Sequence, residues 1–485
     1  MASANPSTAP DRAQVIDQIV KAYDIRGLVG SQLDPTLVRD VGAAFARLLS
    51  DEQDGGAGSG FGPGGAVVVA HDMRESSPEL ADAFAEGVTA LGVDVVHIGL
   101  ASTDMLYYAS GALEMPGAMF TASHNPPSYN GIKLCRAGAA PVGQDSGLDE
   151  IAAVLDRGPG EATPDVSADE RGTVTHRDLL DDYAAFLRSL VDLSGIRSLS
   201  LVVDAGNGMA GHTVPAVLGD GPRGRLPVEV EPLYFELDGT FPNHEANPLD
   251  PDNLRDLQRK IVTLGRADAG LAFDGDADRV FLVDELGDAV SPSAITALVA
   301  TRELDKHPGS TVIHNLITSR AVPEIISEAG GRPVRSRVGH SFIKATMAET
   351  DAVFGGEHSA HYYFRDFWGA DSGMLAALHV LAALGEQDRP LSELMAQYSR
   401  YAASGEINST VDDPQAVMAE VEQTFGAREG VTTDDLDGLT VTLPDGAWFN
   451  LRPSNTEPLL RLNVEADDDD AVAALRDEVL ALVRG

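Results

Sequence analysis

Short apolar runs alternate with polar, glycine-containing turns along most of the chain. Gly117–Phe120 is one such run, Ala269–Phe273 and Val280–Val283 flank one turn, and Leu199–Asp204 opens another series. Apolar runs of this length between turn signals are typical of buried strands. The intervening stretches, such as residues 78–91, predict helices. Strands that alternate with helices predict an α/β class of fold.

The pattern resets near residues 165 and 289, and the final 85 or so residues carry a strand pair and a terminal helix. At 485 residues the chain is too long for one ordinary core, and typical domain sizes give three or four domains. We predict three related α/β domains and a smaller C-terminal α+β domain. The predicted domain ranges are 15–167, 168–288, 289–400 and 401–485.

Two segments predict little regular structure. Residues 1–14 are polar and contain proline, so we expect them to be disordered. The glycine-rich insertion at residues 54–60 is expected to be a flexible loop rather than a phosphate cradle.

Composition and charge exclude several classes of protein. The hydrophobic content of 43% is enough to fill several cores, and we find no apolar run as long as a membrane span. The amino terminus lacks the basic and apolar regions of a secretory signal, so we expect a cytoplasmic protein with no membrane partner. The formal net charge of −40 argues against nucleic-acid binding. Cys135 is the single cysteine, so an intramolecular disulfide cannot form.

Ser123 lies on a stiff turn, TASHNPPSYNG, directly after the strand predicted at Gly117–Phe120. Such a turn lies at the carboxyl edge of the sheet, where open α/β folds bind ligands. A serine hydroxyl needs a base, a cation or a metal to react, and His124 and Lys133 are near in sequence. Ser123 is therefore a candidate phosphate carrier. The alternative is an ordinary turn whose side chains cap backbone groups.

Asp274, Asp276 and Asp278 alternate along one tight turn between two predicted strands. Their mutual repulsion is relieved by a hard divalent cation with oxygen ligands, and magnesium is the natural expectation. A calcium loop of the EF-hand type needs glycine at its sixth position, where this chain has Arg279. A solvated acidic turn remains the structural alternative. Arg279 beside a metal fits an enzyme that handles phosphoryl oxygens.

Two further turns carry polar groups. Glu357, Ser359 and His361 follow a Gly-Gly pair, with His340 earlier in the chain, and this set suits the hydroxyls of a sugar. A hydrogen-bonded loop or a zinc site are the alternatives, although the spacing does not support zinc. The run LRPSNTEP gathers Arg452 with hydroxyls and an amide, which suits a phosphate dianion. A plain surface turn is the alternative.

These four runs, in this order, resemble the α-D-phosphohexomutase superfamily. The opening run KAYDIRG at residues 21–27 is similar to the amino-terminal signature of that family, and residues 357–367 most resemble the bacterial phosphomannomutase group. The resemblance spans most of the chain and implies a central cleft bounded by the four domains. Two positions depart from common relatives, His358 and Ala360, and neither removes a chemical group that the reaction needs.

The resemblance assigns roles residue by residue. Ser123 matches the serine that carries the phosphate, and its phosphate with three carboxylates matches a site for one Mg²⁺ per subunit. The carboxylates are Asp274, Asp276 and Asp278. The implied catalytic set is Ser123, His124, Lys133, Arg26 and Arg279. The implied sugar-binding residues are Tyr23, His340, Glu357, Ser359 and His361. The implied phosphate-binding residues are Arg452, Ser454, Asn455, Thr456 and Arg461.

The resemblance also implies an activity. A phosphoserine donates to mannose 6-phosphate, a hexose 1,6-bisphosphate forms and turns around, and mannose 1-phosphate leaves; free bisphosphate acts as activator. A phosphoglucomutase or dual-specificity enzyme is the first alternative, and a magnesium-dependent sugar phosphatase or a catalytically silent sugar-phosphate sensor are further ones. We expect a phosphosugar as the only partner besides the metal, and a monomer or homodimer.

Overall fold

The computed structural model describes residues 12–54, 64–158, 167–221, 224–453 and 459–485. They form two compact units: residues up to 288 together with 366–388, and residues 289–365 together with 389–485. Ser454, Asn455 and Thr456 lie outside the described residues, as do residues 1–11 and 55–60 of the two segments predicted to lack regular structure. The first helix begins at Arg12, so residues 12–14 are helical and not disordered.

The first sheet carries the Ser123 turn. Its strands are β1 (Ile25–Leu28), β2 (Ala66–His71), β3 (Asp94–Leu100), β4 (Gly117–Phe120), β5 (Tyr129–Arg136), β6 (Ala140–Pro141) and β7 (Val174–His176). Their order is β1-β5-β4-β2-β3-β7, with β6 beside β5. Strands β4, β2, β3 and β7 are parallel, whereas β5 is antiparallel to β4 and β1. Because β7 pairs with β3, this sheet extends past the boundary predicted at residue 167.

Five helices accompany this sheet: α1 (Arg12–Ile19), α2 (Pro35–Asp54), α3 (Ser77–Thr89), α4 (Thr103–Leu113) and α5 (Leu148–Leu155). Of these, α3 connects β2 to β3 and α4 connects β3 to β4, the crossovers that parallel pairing requires. The central strand β2 reads AVVVAH, a β-branched run typical of a strand buried on both faces. Phe45, Phe84 and Phe120 meet in the core between sheet and helices. Cys135 is buried in β5, as its neighbours predicted.

The second sheet carries the aspartate turn. Its part of the chain contains α6 (Leu180–Leu190), β8 (Leu199–Asp204), α7 (Ala210–Leu218), β9 (Asp220–Gly221), β10 (Gly224–Arg225), β11 (Val228–Leu233), α8 (Arg255–Leu264), β12 (Ala269–Phe273) and β13 (Val280–Val283). The strands of the first unit lie in this sheet in the order β11-β8-β12-β13. Strand β8 is parallel to β11 and β12, while β12 and β13 form an antiparallel pair. The predicted turn between two strands, residues 274–279, is confirmed.

The second unit begins with the short strand β14 (Ala289–Val290) and continues with a third α/β layer. The elements of that layer are α9 (Pro292–Lys306), β15 (Thr311–Asn315), α10 (Ala321–Glu328), β16 (Arg332–Ser336), α11 (His340–Thr350), β17 (Phe354–Gly356) and β18 (Tyr362–Phe364). Strand β15 is parallel to β16 and β17, and β17 is antiparallel to β18. The predicted sugar turn, residues 357–361, connects β17 to β18.

The rest of the chain returns once to the first unit and then completes the second. Residues 366–388 of the first unit contain β19 (Ala370–Asp371) and α12 (Gly373–Gly385). The second unit continues with α13 (Leu391–Ala396), β20 (Ala402–Thr410), α14 (Pro414–Gly426), β21 (Thr432–Asp434), β22 (Leu439–Thr442), β23 (Trp448–Pro453), β24 (Leu459–Ala466) and α15 (Asp469–Val483).

The last sheet is entirely antiparallel, in the order β20-β24-β23-β22-β21. Two helices cover it, with Phe425 of α14 against Phe449 of β23 in a core of its own. Three α/β layers followed by this α+β layer confirm the predicted fold class. Within the described ranges, no helix has both the length and the apolar composition needed to cross a membrane.

Candidate active site

Ser123 is held in an uncommon backbone conformation at the end of β4. Its φ is 49°, in the left-handed region, and its amide donates to the Thr121 hydroxyl at 2.9 Å. The residue is only 5% exposed. A left-handed serine costs free energy that the surrounding contacts must offset, and such strain is concentrated at functional sites.

The turn of Ser123 packs directly on the aspartate loop. Ser123 Oγ donates to Asp274 Oδ2 at 2.9 Å. The two backbones are so close that a Cβ on Gly275 would lie 2.4 Å from the carbonyl oxygen of Ser123. Only glycine permits this approach, since a side chain there would push the loops apart. The structure therefore brings together the predicted nucleophile and the predicted metal ligands.

Asp274, Asp276 and Asp278 are all 0% exposed, and each offers an oxygen within 4.8 Å of the others. Three carboxylates buried this closely repel one another unless cations neutralise them. Asp276 Oδ1 is buried and has no hydrogen-bond partner among the described residues. An all-oxygen donor set with an unsatisfied buried oxygen fits a hard divalent cation such as Mg²⁺.

Two protein cations already neutralise part of this charge. Lys133 Nζ lies 2.7 Å from Asp276 Oδ2 and 2.6 Å from Asp278 Oδ2, and Arg279 Nη2 lies 2.9 Å from Asp274 Oδ2. Burial lowers the pKa of Lys133, but Asp276 and Asp278 outweigh it and hold that pKa well above its usual value. Lys133 is therefore a fixed cation at neutral pH.

The carboxylates themselves respond differently to burial. Burial raises the pKa of Asp274 and of Asp278, with the neighbouring carboxylates adding to the effect. Burial also acts to raise the pKa of Asp276, but the attraction of Lys133 outweighs it and the pKa falls below its ordinary value. Asp276 is thus ionised at neutral pH.

His124 is neutral in this environment. Burial lowers the pKa of His124 well below its usual value, and Arg279 and Arg26 lower it further. Its Nδ1 lies 2.6 Å from Arg279 Nη2 and 3.2 Å from Ser123 Oγ. A guanidinium can only donate, so Nδ1 accepts from Arg279, and its lone pair is not available to deprotonate Ser123. In this arrangement His124 orients Arg279.

Arg26 lies on β1, and Tyr23 lies just before that strand. Arg26 on β1 donates to Asn125 Oδ1 of the serine turn and pairs with Asp24, while its buried Nε has no partner in the described part of the chain. Arg26 is thereby tied to the loop that carries the nucleophile. Tyr23 precedes the strand and is 36% exposed.

Arg74 is the main residue of this site whose role the sequence did not reveal. Its guanidinium donates to the carbonyl oxygens of Ser123 at 2.9 Å, Asn125 at 2.7 Å, Pro126 at 2.9 Å and Tyr129 at 3.0 Å. Its Nε donates to Asp72 Oδ2 at 3.2 Å. Arg74 is therefore buried and bonded to the serine turn through its whole guanidinium, which leaves no donor for a substrate. We call this set of hydrogen bonds the clamp on the serine turn.

A sequence signal for this clamp existed. Asp72 and Arg74 directly follow β2, the parallel neighbour of β4, and His71 pairs with Phe120 in the register. The ends of two adjacent parallel strands meet at one edge, so residues after β2 are placed beside residues after β4.

Thr103 was also missed. Its hydroxyl donates to Asp276 Oδ2 at 2.6 Å, and its amide donates to the Asp276 carbonyl at 3.0 Å. Next to it, Asp104 accepts from Tyr183 and from Ser372. Burial raises the pKa of Asp104 to about 6, against these hydrogen bonds. The first turn of α4 therefore supports the aspartate loop.

In the second unit, Glu357 is held rigidly between β17 and β18. It is 1% exposed; Oε1 accepts from the Tyr363 hydroxyl at 2.6 Å, and Oε2 accepts from Gly339 N at 3.1 Å and Asn315 Nδ2 at 3.3 Å. The sequence did not single out Tyr363 or Asn315. These contacts fix the carboxylate in one orientation.

The other predicted sugar-binding residues cluster around Glu357. Ser359 Oγ lies 3.0 Å from His361 Nδ1, and His340 Nδ1 lies 3.0 Å from the Tyr363 hydroxyl. The rings of His340 and His361 are 4.1 Å apart between centroids. Together with Glu357 these histidines offer ligand atoms within 4.8 Å of one another, a distance that a zinc site also requires.

Arg452 and Arg461 lie opposite each other on two adjacent strands of the last sheet, as direct partners in the β23–β24 register. Like charges opposite each other destabilise a strand pair, and Glu406 compensates, at 3.9 Å from Arg452 and 3.4 Å from Arg461. The buried Nε atoms of both arginines lack a hydrogen-bond partner within the described ranges. This pair is suited to an anion.

Comparison with known proteins identifies the family to which the chain is similar. Sequence models of the phosphoglucomutase/phosphomannomutase family match the chain in order: α/β/α domain I over 17–159, domain II over 181–287, domain III over 291–401 and the C-terminal domain over 406–482. A phosphomannomutase of Salmonella montevideo is 40% identical over 467 residues, covering 96% of this chain and 98% of that protein.

Two further relatives extend the comparison. A protein of Xanthomonas campestris pv. campestris named phosphohexose mutases is 40% identical over 471 residues, covering 96% of this chain and 99% of that protein. The crystal structure of a phosphoglucomutase/phosphomannomutase family protein from Burkholderia thailandensis superposes with a TM-score of 0.82 at 32% identity, covering 98% and 97% of the two chains.

The chain therefore belongs to the phosphoglucomutase/phosphomannomutase family, which confirms the predicted resemblance. It is an enzyme of the isomerase class that transfers a phosphoryl group within its substrate.

Proposed function

We propose that this enzyme interconverts mannose 6-phosphate and mannose 1-phosphate through a phosphoserine at Ser123. The observation that carries the proposal is the 2.9 Å contact between Ser123 Oγ and Asp274 in a buried carboxylate triad flanked by Lys133 and Arg279. A hydroxyl beside a cation site and two fixed cations is equipped to carry and release a phosphoryl group.

The chemistry balances without an outside co-reactant. The bond between phosphorus and Ser123 Oγ breaks as a bond forms to a free hydroxyl of the hexose monophosphate, whose proton is released. The hexose 1,6-bisphosphate then reorients, and its other phosphoryl group returns to Ser123 Oγ while the sugar oxygen takes up a proton. Free bisphosphate serves as the activator by phosphorylating enzyme that has lost its phosphate.

The charged residues have separate tasks in this scheme. Lys133 stays protonated between two carboxylates, so it acts as a cation toward the transferring phosphoryl group and not as a base. Arg279, oriented by Asp274 and His124, donates to the same group. Arg26 lies against the serine turn, where it assists proton movement at the reacting hydroxyl.

We propose one Mg²⁺ per subunit, held by Asp274, Asp276, Asp278 and an oxygen of the Ser123 phosphate. When bound, this ion neutralises charge on the phosphoryl group. The donor set and the unsatisfied Asp276 oxygen support the assignment.

For the sugar, we propose that Glu357 and Ser359 bind hydroxyls with Tyr23, His340 and His361 nearby. For the phosphate that does not react, we propose Arg452 and Arg461 with three residues that lie between them in the sequence, Ser454, Asn455 and Thr456. The rigid hydrogen bonds of Glu357 and the unsatisfied arginine atoms support this division.

Mannose is the first choice of sugar because the Salmonella relative is a phosphomannomutase. The Xanthomonas relative, equally similar, is named for phosphohexoses in general, which favours dual specificity toward mannose and glucose phosphates as the second candidate.

The test compares turnover of mannose 1-phosphate and glucose 1-phosphate by the purified chain, with Mg²⁺ and catalytic hexose bisphosphate present. We expect faster turnover of the mannose substrate and, by intact mass and peptide mapping, one phosphate on the peptide that contains Ser123. Equal turnover supports the dual-specificity candidate, and release of inorganic phosphate without isomerisation contradicts both. Ser123→Ala is the control and should lose label and activity together.

A further inference from the structure

The second unit contains a cavity of about 230 Å³, which we call the junction pocket. Residues that line it include Ser293, Ala294, His358, Tyr401, Trp448 and Asn463. One water takes up roughly 30 Å³ in the liquid, so the pocket has room for far more than a bridging water. Of the described residues around it, none belongs to the proposed phosphosugar site.

The pocket lies where two family domains join. The domain III model ends at residue 401 and the C-terminal model starts at 406, and both Ala403 and Gly405 line the pocket. Strand β20 changes register between Ala403 and Glu406, and Gly405 has a φ of 67°. Such bulges bend a strand locally and are over-represented beside functional sites.

Asn463 supplies an unused hydrogen-bond donor in the wall of this pocket. The residue is 6% exposed, and its Nδ2 has no partner anywhere in the described part of the chain. A buried donor left unsatisfied costs free energy, which an acceptor on a ligand would recover. Serine hydroxyls add further polar groups: Ser293 Oγ accepts from Ser319 N and lies 3.2 Å from His358 Nδ1.

The charges around the pocket favour an uncharged ligand. No lysine or arginine is among the described residues that line it. Its one carboxylate, Glu465, accepts from Trp448 Nε1 at 2.8 Å and from Arg320 N at 3.0 Å, so it is already engaged. Burial lowers the pKa of His358, which is therefore neutral at pH 7. The guanidinium of Arg320 lies over the Tyr401 ring beside the pocket, but it already pairs with Asp467 and Glu465. The desolvation of a phosphate or carboxylate would therefore not be compensated by a free cation of the lining.

We propose that the junction pocket binds an uncharged, hydroxyl-rich molecule the size of a monosaccharide, separately from the phosphosugar. Trp448 and Ile317 offer apolar surface for the C–H groups of a ring, and the serines and Asn463 offer partners for its hydroxyls. His358 follows Glu357 in the same turn, so a ligand in the pocket contacts the turn that carries Glu357. The same ligand also contacts residues on both sides of the junction between the two domains. The inference does not rest on the proposed reaction.

Saturation-transfer NMR on the full-length chain tests this site, with free mannose, free glucose and methyl α-mannoside as probes. We expect at least one probe to bind, and glucose 1,6-bisphosphate at saturating concentration to leave its signal unchanged. Asn463→Leu, which removes the donor and narrows the pocket, should weaken binding about tenfold or more. Asn408→Leu, the same change at an exposed position of β20, is the matched control and should bind like wild type.

A second variant guards against loss of folding. Ser399 is an exposed residue that lines the pocket, so Ser399→Trp obstructs it without touching a core. It should abolish probe binding while thermal unfolding stays at the wild-type temperature. The proposal is overturned if no probe binds wild-type protein, if bisphosphate displaces the probe, or if both variants bind as wild type does.

Discussion

Arg74 illustrates how one side chain fixes the conformation of a reactive turn. All of its donor groups are used: four carbonyls of the turn and the carboxylate of Asp72. Arginine suits this task because its five donors point outward in one plane, whereas the ammonium of lysine is a compact point charge. The hydrogen bonds of Arg74 thus help to hold Ser123 in its left-handed conformation.

We therefore expect Arg74→Lys to lower kcat about 10–100-fold with little change in KM, since a small displacement of a nucleophile is enough for such a loss. Steady-state kinetics and thermal unfolding provide the measurement. Arg39→Lys is the control, because Arg39 is half exposed and pairs loosely with Glu86 at 4.0 Å. A wild-type kcat in Arg74→Lys would show that the turn does not need the clamp.

His97 is a second residue whose surroundings predict a measurable property. Its ring lies 5.6 Å from that of His71 and 5.5 Å from that of His176. Burial, then the neighbouring His71, lowers the pKa of His97 from 6.5 to about 4. Between pH 6.5 and 4 the unfolded chain therefore binds a proton that the folded chain does not, so acid favours unfolding in this window.

We expect this residue to contribute about 1–2 kcal/mol to the loss of unfolding free energy on acidification, since solvent partly screens the rings. Urea unfolding of wild type and His97→Gln at pH 7 and at pH 4.5 measures it, with each protein serving as its own control at pH 7. The variant should lose less stability than wild type. Parallel losses would contradict the assigned pKa.

At the scale of elements, the first turn of α4 contacts the loop between β12 and β13, which carries the predicted metal ligands. Thr103 begins the helix and bonds Asp276 through both its hydroxyl and its amide. Its neighbour Asp104 bonds Ser372, the N-cap of α12, and Tyr183 of α6. Three helices thus meet behind the aspartate loop of the first unit.

Thr103→Val keeps the shape of the side chain and removes the hydroxyl that orients Asp276. Because partners behind a metal ligand typically change metal affinity 10–100-fold, we expect the Mg²⁺ concentration for half-maximal activity to rise about tenfold. Metal titration of activity checks this. Thr89→Val is matched to it, since that buried hydroxyl bonds only helix carbonyls of α3. An unchanged Mg²⁺ requirement would show that the Thr103 hydroxyl does not influence binding of the cation.

At the scale of the whole molecule, the dominant property is charge. The chain has 75 acidic and 35 basic residues, a net charge of −40. Self-repulsion of this size opposes the folded state, and salt screens it because the Debye length falls from about 10 Å at 0.1 M to about 3 Å at 1 M. The cations proposed to bind phosphate act at short range within this acidic surface.

Sodium chloride should therefore stabilise the protein at pH 7. We expect the unfolding temperature to rise by about 2 °C or more between low salt and roughly 1 M. Calorimetry in a salt series measures it, and the same series nearer the isoelectric point of 4.4 is the control, where the rise should shrink. An unfolding temperature that ignores salt at pH 7 would rule out self-repulsion as a significant term.

The sequence by itself determined the α/β class and the turns that carry the chemistry. Hydrophobic period and turn residues are local properties, so the strands before Ser123 and around Asp274 were predictable from short windows of sequence. The pairing of β7 with β3, which extends the first sheet past residue 167, was not predictable in this way. Strand β7 has only three residues and all are exposed, so it gives no apolar signal.

Only the tertiary structure decided which partners complete the site. Arg74, Thr103, Asn315 and Tyr363 act through hydrogen bonds to residues far away in sequence, and such partners are chosen by the geometry of packed elements. The same holds for His124, which looked like a base for Ser123 until the position of Arg279 showed that its Nδ1 accepts a hydrogen bond already. Residue type supplies the chemical capacity, and three-dimensional contact determines how each group uses it.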